Sequence, residues 1–211
     1  EGLITQGGVG SGTQGIAIGT NAGGGNTGST RSVYIGAGAA STITTGDRNV
    51  SIGFNSGGAT ATAVGSHNQF VAIGAYAASK IKDASQGFVM IGDSAGYSSV
   101  TAQYSIHIGH NAGVFTLSGS YNTFIGSNAG SSAGGSNGET PNNNIAIGAS
   151  AFSTAGDATY NVAVGDAALK NIAGNNNVAI GKSALQDHVD GDNNIAIGNL
   201  AMSDAGQDGG T

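Results

Sequence analysis

The stretch NNNVAIGKSAL, residues 175–185, is one copy of a phrase that the chain repeats eleven times. Close relatives read NNNIAIGASAF at 142–152 and NNIAIGNLAM at 193–202. A glycine anchors every copy: Gly19, Gly36, Gly53, Gly74, Gly92, Gly109, Gly126, Gly148, Gly165, Gly181 and Gly198. Successive glycines are 17, 17, 21, 18, 17, 17, 22, 17, 16 and 17 residues apart. Self-similarity at a short, nearly constant period is the mark of a stacked repeat architecture.

Counting from each glycine as position 0, position −1 is Ile in every copy except Val164. Position −3 is Val or Ile in every copy except Thr123. Branched residues two apart predict a short β-strand whose −3 and −1 side chains share one face, with −2 on the other. Three or four residues make a strand too short to stand alone, so its backbone bonds must be completed by identical neighbours above and below. Glycine at 0 predicts a turn through positive φ or a close backbone approach. Position +3 is Ala in all copies but Ser56, which suits a crowded interior where a second short strand folds back. Asn occupies −4 at Asn49, Asn122, Asn144, Asn161, Asn177 and Asn194, a turn residue that also forms amide ladders when stacked. About seventeen residues per turn is too few for a βα repeat. The expectation is an all-β, parallel β-roll or β-solenoid of about eleven turns, on the order of 50 Å long. A lead-in covers 1–13, the roll 14–202 and a tail 203–211, in a single repeat domain.

In this reading the −3 and −1 residues fill the interior and −2 faces outward. Position −2 is Ala at Ala17, Ala72, Ala146, Ala163, Ala179 and Ala196, and otherwise Tyr34, Ser51, Met90, His107 and Phe124. That face is too apolar for ordinary solvent contact. It fits either a monomeric solenoid with a bland face or, as the preferred reading, homotrimerisation through it.

Composition narrows the function. Glycine numbers 40 of 211 residues, 9% of residues are charged, and there is no cysteine or tryptophan. Glycine without a triplet period excludes collagen, and ordered Val and Ile positions argue against disorder. Six basic residues against a net charge of −6 exclude a phosphate-tracking nucleic-acid surface. No apolar run reaches the length of a membrane-spanning helix, so no membrane insertion is expected. The chain begins at Glu1, which reads as a fragment of something longer.

The three segments quoted above resemble the head repeats of trimeric autotransporter adhesins and, equally, the repeats of phage tail-fibre proteins. The resemblance runs from about residue 14 to 202. It implies a left-handed parallel β-roll with three chains wound around one axis, in an extracellular, non-enzymatic fibre that attaches to a host surface. Spacings of mostly seventeen and two longer insertions fit a phage-type virion tail fibre better. The adhesin head, binding host matrix or cell surface, is the alternative, and a passive shaft without a binding role is a further one. The partner implied is a host cell-surface glycan or protein.

Local chemical motifs dissolve into the repeat. VYIGAGAAS (33–41) imitates a dinucleotide loop, but no helix follows it. AIGKSAL (179–185) ends like a P-loop but has Asn176 where the upstream glycine belongs. No carboxylate pair recurs in the manner of a glycosidase. No cofactor is expected. An axial ion held by three copies of His107 is the one metal candidate, against a neutral, hydrated histidine. Asp187, Asp190 and Asp192 offer hard ligands without calcium-loop spacing, so calcium is disfavoured. Recognition is expected in the two long connections, 56–70 and 131–144, with His67, Asn68, Phe70, Asn137, Glu139 and Asn142 as candidate contacts. Aromatics elsewhere in connections (Phe88, Tyr97, Tyr104, Phe115, Tyr121 and Tyr160) either join that recognition or seal the core.

Overall fold

The computed structural model describes residues 4–5, 15–28, 30–58, 68–82, 85–100, 103–116, 118–133, 140–171, 174–187 and 191–203. The described residues contain no helix. They form one twelve-stranded sheet in strict sequence order. Strand β1 (Ile4–Thr5) pairs antiparallel with β2 (Ile16–Ile18), at the N-terminal edge of the stack. From β2 to β12 (Ile195–Ile197), eleven three-residue strands pair in parallel, each directly on the next. Position −2 always meets position −2, as in Met90 on His107 and His107 on Phe124. Eleven strands bound ten windings at most, and the parallel β-solenoid amounts to about nine turns, slightly fewer than the copies of the phrase.

Hydrogen bonds run from coil to coil throughout. The Ile106 amide donates to Asn122 O at 2.8 Å, while the Gly109 amide donates back to Ile91 O at 2.8 Å. Among the described residues no second strand folds back on the first. Outside the named strands, the pairing among described residues is confined to isolated bridges such as Asn68 with Gln86 and Thr154 with Asn171. The return path is made of tight turns instead. Position +2 has positive φ in every copy, from Asn21 at 57° to Leu200 at 58°, and so does +4, from Gly23 at 61° to Met202 at 51°. Side-chain-bearing residues adopt the left-handed region at a cost, and Asn and Gly do so most readily, which accounts for much of their abundance.

The anchoring glycines are constrained on both counts that the sequence allows. Gly109 has φ +132°, and a Cβ on it would lie 2.7 Å from the carbonyl carbon of Gly126 in the next coil. Backbone therefore touches backbone along this column. The −4 asparagines form the expected ladder. Asn144 donates its amide to Asn122 Oδ1 at 3.0 Å, Asn161 to Asn144 Oδ1 at 3.0 Å, and Asn177 to Asn161 Oδ1 at 2.8 Å. Each side-chain amide also donates across the coil, as Asn161 Nδ2 does to Gly174 O at 3.0 Å. All four of these asparagines are fully buried, and their polar groups are satisfied by the ladder.

The facing of the strands is the reverse of the sequence expectation. Position −2 is inside: Ala72, Met90, His107, Phe124, Ala146, Ala163 and Ala179 are wholly buried. The branched −3 and −1 residues point outward and are half-buried or exposed. The physical reason is volume. Tight turns leave a narrow interior, and the −2 side chain reaches across it to position +4. Where −2 is Met90, His107 or Phe124, +4 is glycine, whereas Tyr34 is paired with Ala40 and its ring crowds Gly23 of the preceding coil. A Cβ on Gly96 would collide with Met90, on Gly113 with His107 and on Gly130 with Phe124. Where −2 is Ala163 or Ala179, +4 is Leu169 or Leu185, and Ala146 meets Phe152 in the same way, all of them buried. One large side chain fills each of these coils, and two branched ones would not fit beside it.

Two predictions follow from this geometry. Gly109→Ala is expected to cost about 1–3 kcal/mol from backbone strain alone. Thermal denaturation then reads a Tm lowered by roughly 3–10 °C. Phe124→Ala is expected to lose about 3–5 kcal/mol and Gly130→Leu about 1–3 kcal/mol. The double variant recreates the Ala163–Leu169 coil, so a double-mutant cycle in urea is expected to show a favourable coupling of about 1–3 kcal/mol.

Candidate functional site

The −3 and −1 columns make an unusual surface. Ile106 and Ile145 at −3, and Ile147 and Ile180 at −1, are all exposed, and the half-buried valines and isoleucines between them complete two parallel rows over eleven strands. At the last strand Ile195 and Ile197 are 70% and 68% exposed. Branched residues on a strand face carry no polar atoms, and their repetition in register leaves no interruption but Thr123. A contiguous apolar face of this extent is uncommon on the surface of a folded chain.

A second feature sits on the turns. Phe54 at +1 and Tyr76 at +2 of successive coils pack edge to face, with ring centroids 5.3 Å apart. Tyr76 in turn meets Tyr97 at 6.1 Å and 78°. Tyr76, Ser94 and Tyr97 line an open pocket of about 290 Å³. Lys80 places its Nζ 4.5 Å from the centre of the Tyr97 ring. Ser94 Oγ donates to Asp93 Oδ1 at 3.2 Å, and Asp93 faces His110 Nε2 at 3.8 Å. Sequence reasoning singled out Tyr97 alone here. The available signal was that Phe54 and Tyr76 occupy adjoining turn positions in consecutive copies, which stacking brings together.

The residues expected to make recognition contacts are differently employed. Asn68 Oδ1 accepts the Asp47 amide at 2.8 Å. Asn142 Oδ1 accepts the Ser120 amide at 2.9 Å, and its Nδ2 donates to Thr140 O at 2.5 Å. Both belong to a second ladder, at position −6, that includes the Asn175 amide on Asp192 Oδ1 at 2.6 Å. In the same ladder the Thr30 hydroxyl and amide donate to Asp47 and, with the Arg31 guanidinium 3.2 Å away, hold its carboxyl below the usual carboxylate range. Phe70 is wholly buried and stacks on Phe88 at 4.9 Å, because both replace Asn at −4 and turn into the core. Its ring is not offered to a partner. His67, Asn137 and Glu139 lie outside the described residues, as does Asp190. Asp187 accepts from Asn171 Nδ2 at 2.6 Å, another coil-to-coil bond. Tyr104, Phe115, Tyr121 and Tyr160 are exposed, with Tyr104 and Tyr121 stacked at 5.4 Å.

His107 also changes place. The axial-ion reading required −2 to face a shared axis, but −2 faces the interior of its own coil. His107 is fully buried, stacked on Phe124 at 5.1 Å and 16°, and neither ring nitrogen has a hydrogen-bond partner among the described residues. No three His, Asp or Glu side chains among the described residues group as metal ligands. Burial pushes its pKa down from 6.5 to about 3. The sign follows directly. The folded chain keeps a neutral imidazole while the unfolded chain takes up a proton below about pH 6.5, so acid favours unfolding from there down to about pH 3. His107→Met copies the Met90–Gly96 coil beneath it. Its Tm is expected to fall less than that of the parent chain between pH 7 and pH 4, as differential scanning calorimetry would show.

Comparisons with protein-family models, with curated proteins and with solved structures found no match to this chain. No helix among the described residues is long and apolar enough to cross a membrane.

Proposed function

We propose that this chain is a stiff, non-enzymatic segment of an extracellular homotrimeric attachment fibre, of the kind phage tail fibres form, whose chains wind left-handed around one axis. The observation that carries the reading is the outward double row of Ile and Val over eleven strands. A second copy in parallel register is the occupant that matches it. Its branched rows have the same coil spacing, so contacts made at one coil repeat at every other. Burying what remains exposed of one such side chain is worth about 1 kcal/mol, at about 25 cal/mol per Å². No single strand holds the chains together, but eleven acting in register do. The interface thus moves from the small −2 residues to the −3 and −1 rows. The resemblance of the repeat to tail-fibre and adhesin heads supports an extracellular setting and a host surface as the target.

A specific observation also favours the shaft reading for the long connections. Asn68 and Asn142, at their ends, bond neighbouring coils. That employment serves stiffness, and it leaves recognition to side chains that stand clear of the ladders.

The experiment is sedimentation of the purified chain. A trimer is expected, at about three times the 20.3 kDa of one chain. Ile106→Lys combined with Ile108→Lys sets six ammonium groups into the contact and is expected to yield a monomer with an unchanged far-ultraviolet circular dichroism spectrum. A parent chain that sediments as a monomer at tens of micromolar overturns the reading.

A further inference from the structure

We infer that the hollow between Tyr76 and Tyr97 is a binding site for a carboxylate-bearing sugar. The inference deepens the attachment reading and rests on it for the source of the ligand, a surface glycan. Three aromatic rings from neighbouring coils converge here, Phe54 on Tyr76 and Tyr76 on Tyr97. The rings meet near-perpendicular, not stacked, and Phe54 is exposed. The negative face of an aromatic ring attracts the weakly positive C–H face of a pyranose. The pocket, about 290 Å³, lies near the lower end of small-ligand sites and suits a single sugar unit.

Polar groups stand at both walls. On the Ser94 wall, the Ser94 Oγ, whose proton goes to Asp93, and the Asp93 carboxylate provide acceptors for sugar hydroxyls. On the Tyr97 wall stands the exposed Lys80, and no carboxylate among the described residues forms an ion pair with it. The chain has six basic residues and a net charge of −6, yet Lys80 and Lys82 share one turn of this surface. A cation held over a ring beside an open pocket selects an anion, and a ring-bearing pocket selects a sugar over a bare ion. Tyr76 holds φ 56° and Ser94 φ 55°, so the pocket is framed by the left-handed +2 column, which the coil stacking keeps rigid.

The test is calorimetric titration of the full chain with 3′-sialyllactose, trigalacturonate and lactose at 20 mM and 200 mM NaCl. At least one acidic saccharide is expected to bind tenfold or more tightly than lactose, and more weakly at the higher salt. Lys80→Gln, at an exposed position, is expected to remove that preference and the salt dependence. Tyr97→Ala is expected to weaken binding tenfold or more, and Ser94→Phe, which fills the pocket, to abolish it. Equal affinity for lactose and the acidic probes, or acidic binding untouched by Lys80→Gln and Ser94→Phe, overturns the site. Sedimentation separates this from the fibre reading. A trimer that binds no acidic probe overturns the pocket alone, whereas a monomer that binds through Lys80 and Tyr97 overturns the fibre and leaves the pocket standing.

Discussion

Every coil of this chain completes its backbone hydrogen bonds on the coils above and below it. Stacking in register at the spacing of a β-sheet then forces each position of the repeat into a column of near-identical environments. A residue is tolerated only if it can sit on a copy of itself one strand away. Glycine meets that condition at position 0, where φ near +130° and contact with the next glycine exclude a side chain. Asn meets it at −4 by donating to the amide oxygen of its predecessor while its own oxygen accepts from its successor. The same requirement makes the −6 ladder, in which Asp, Asn and Thr exchange bonds between coils. Stability in such a molecule is a sum of coil-to-coil contacts more than the product of one central core.

The interior is correspondingly small. Each coil has room for about one large side chain, and the chain supplies it from either wall. Tyr34, Met90, His107 and Phe124 enter from the strand; Phe152, Leu169 and Leu185 enter from the turn. This exchange allows the sequence to vary inside while the backbone repeats. It also admits an imidazole to a site with no hydrogen-bond partner among the described residues, at the expense of stability in acid.

What a narrow interior cannot hold must go outside. The branched −3 and −1 residues are therefore displaced to the surface by the geometry of the coil, where they form two uniform rows. Irregular turns lie between these faces. There stacking converts single residues scattered through the sequence, such as Phe54, Tyr76, Lys80 and Tyr97, into a local cluster.

The sequence alone determined the stacked all-β architecture, the parallel order, the strand positions, the turning glycines and the Asn ladder. Each of these follows from what recurs, and recurrence is visible in one dimension. It did not determine which face of the strand is inside. A period of two says that −2 opposes −3 and −1, but it is symmetric and assigns no side. Hydrophobicity pointed the wrong way because the interior rewards complementary volume across the coil, and −2 against +4 is a contact between residues six apart that periodicity does not reveal. The candidate site was legible only in part for the same reason. Asn68 and Asn142 looked free in an irregular stretch, and Phe70 looked exposed beside them; coil-to-coil bonding and a vacant −4 slot placed them otherwise. Only the tertiary structure brought Phe54, Tyr76 and Tyr97 together, because the winding of the chain sets turns from separate copies side by side.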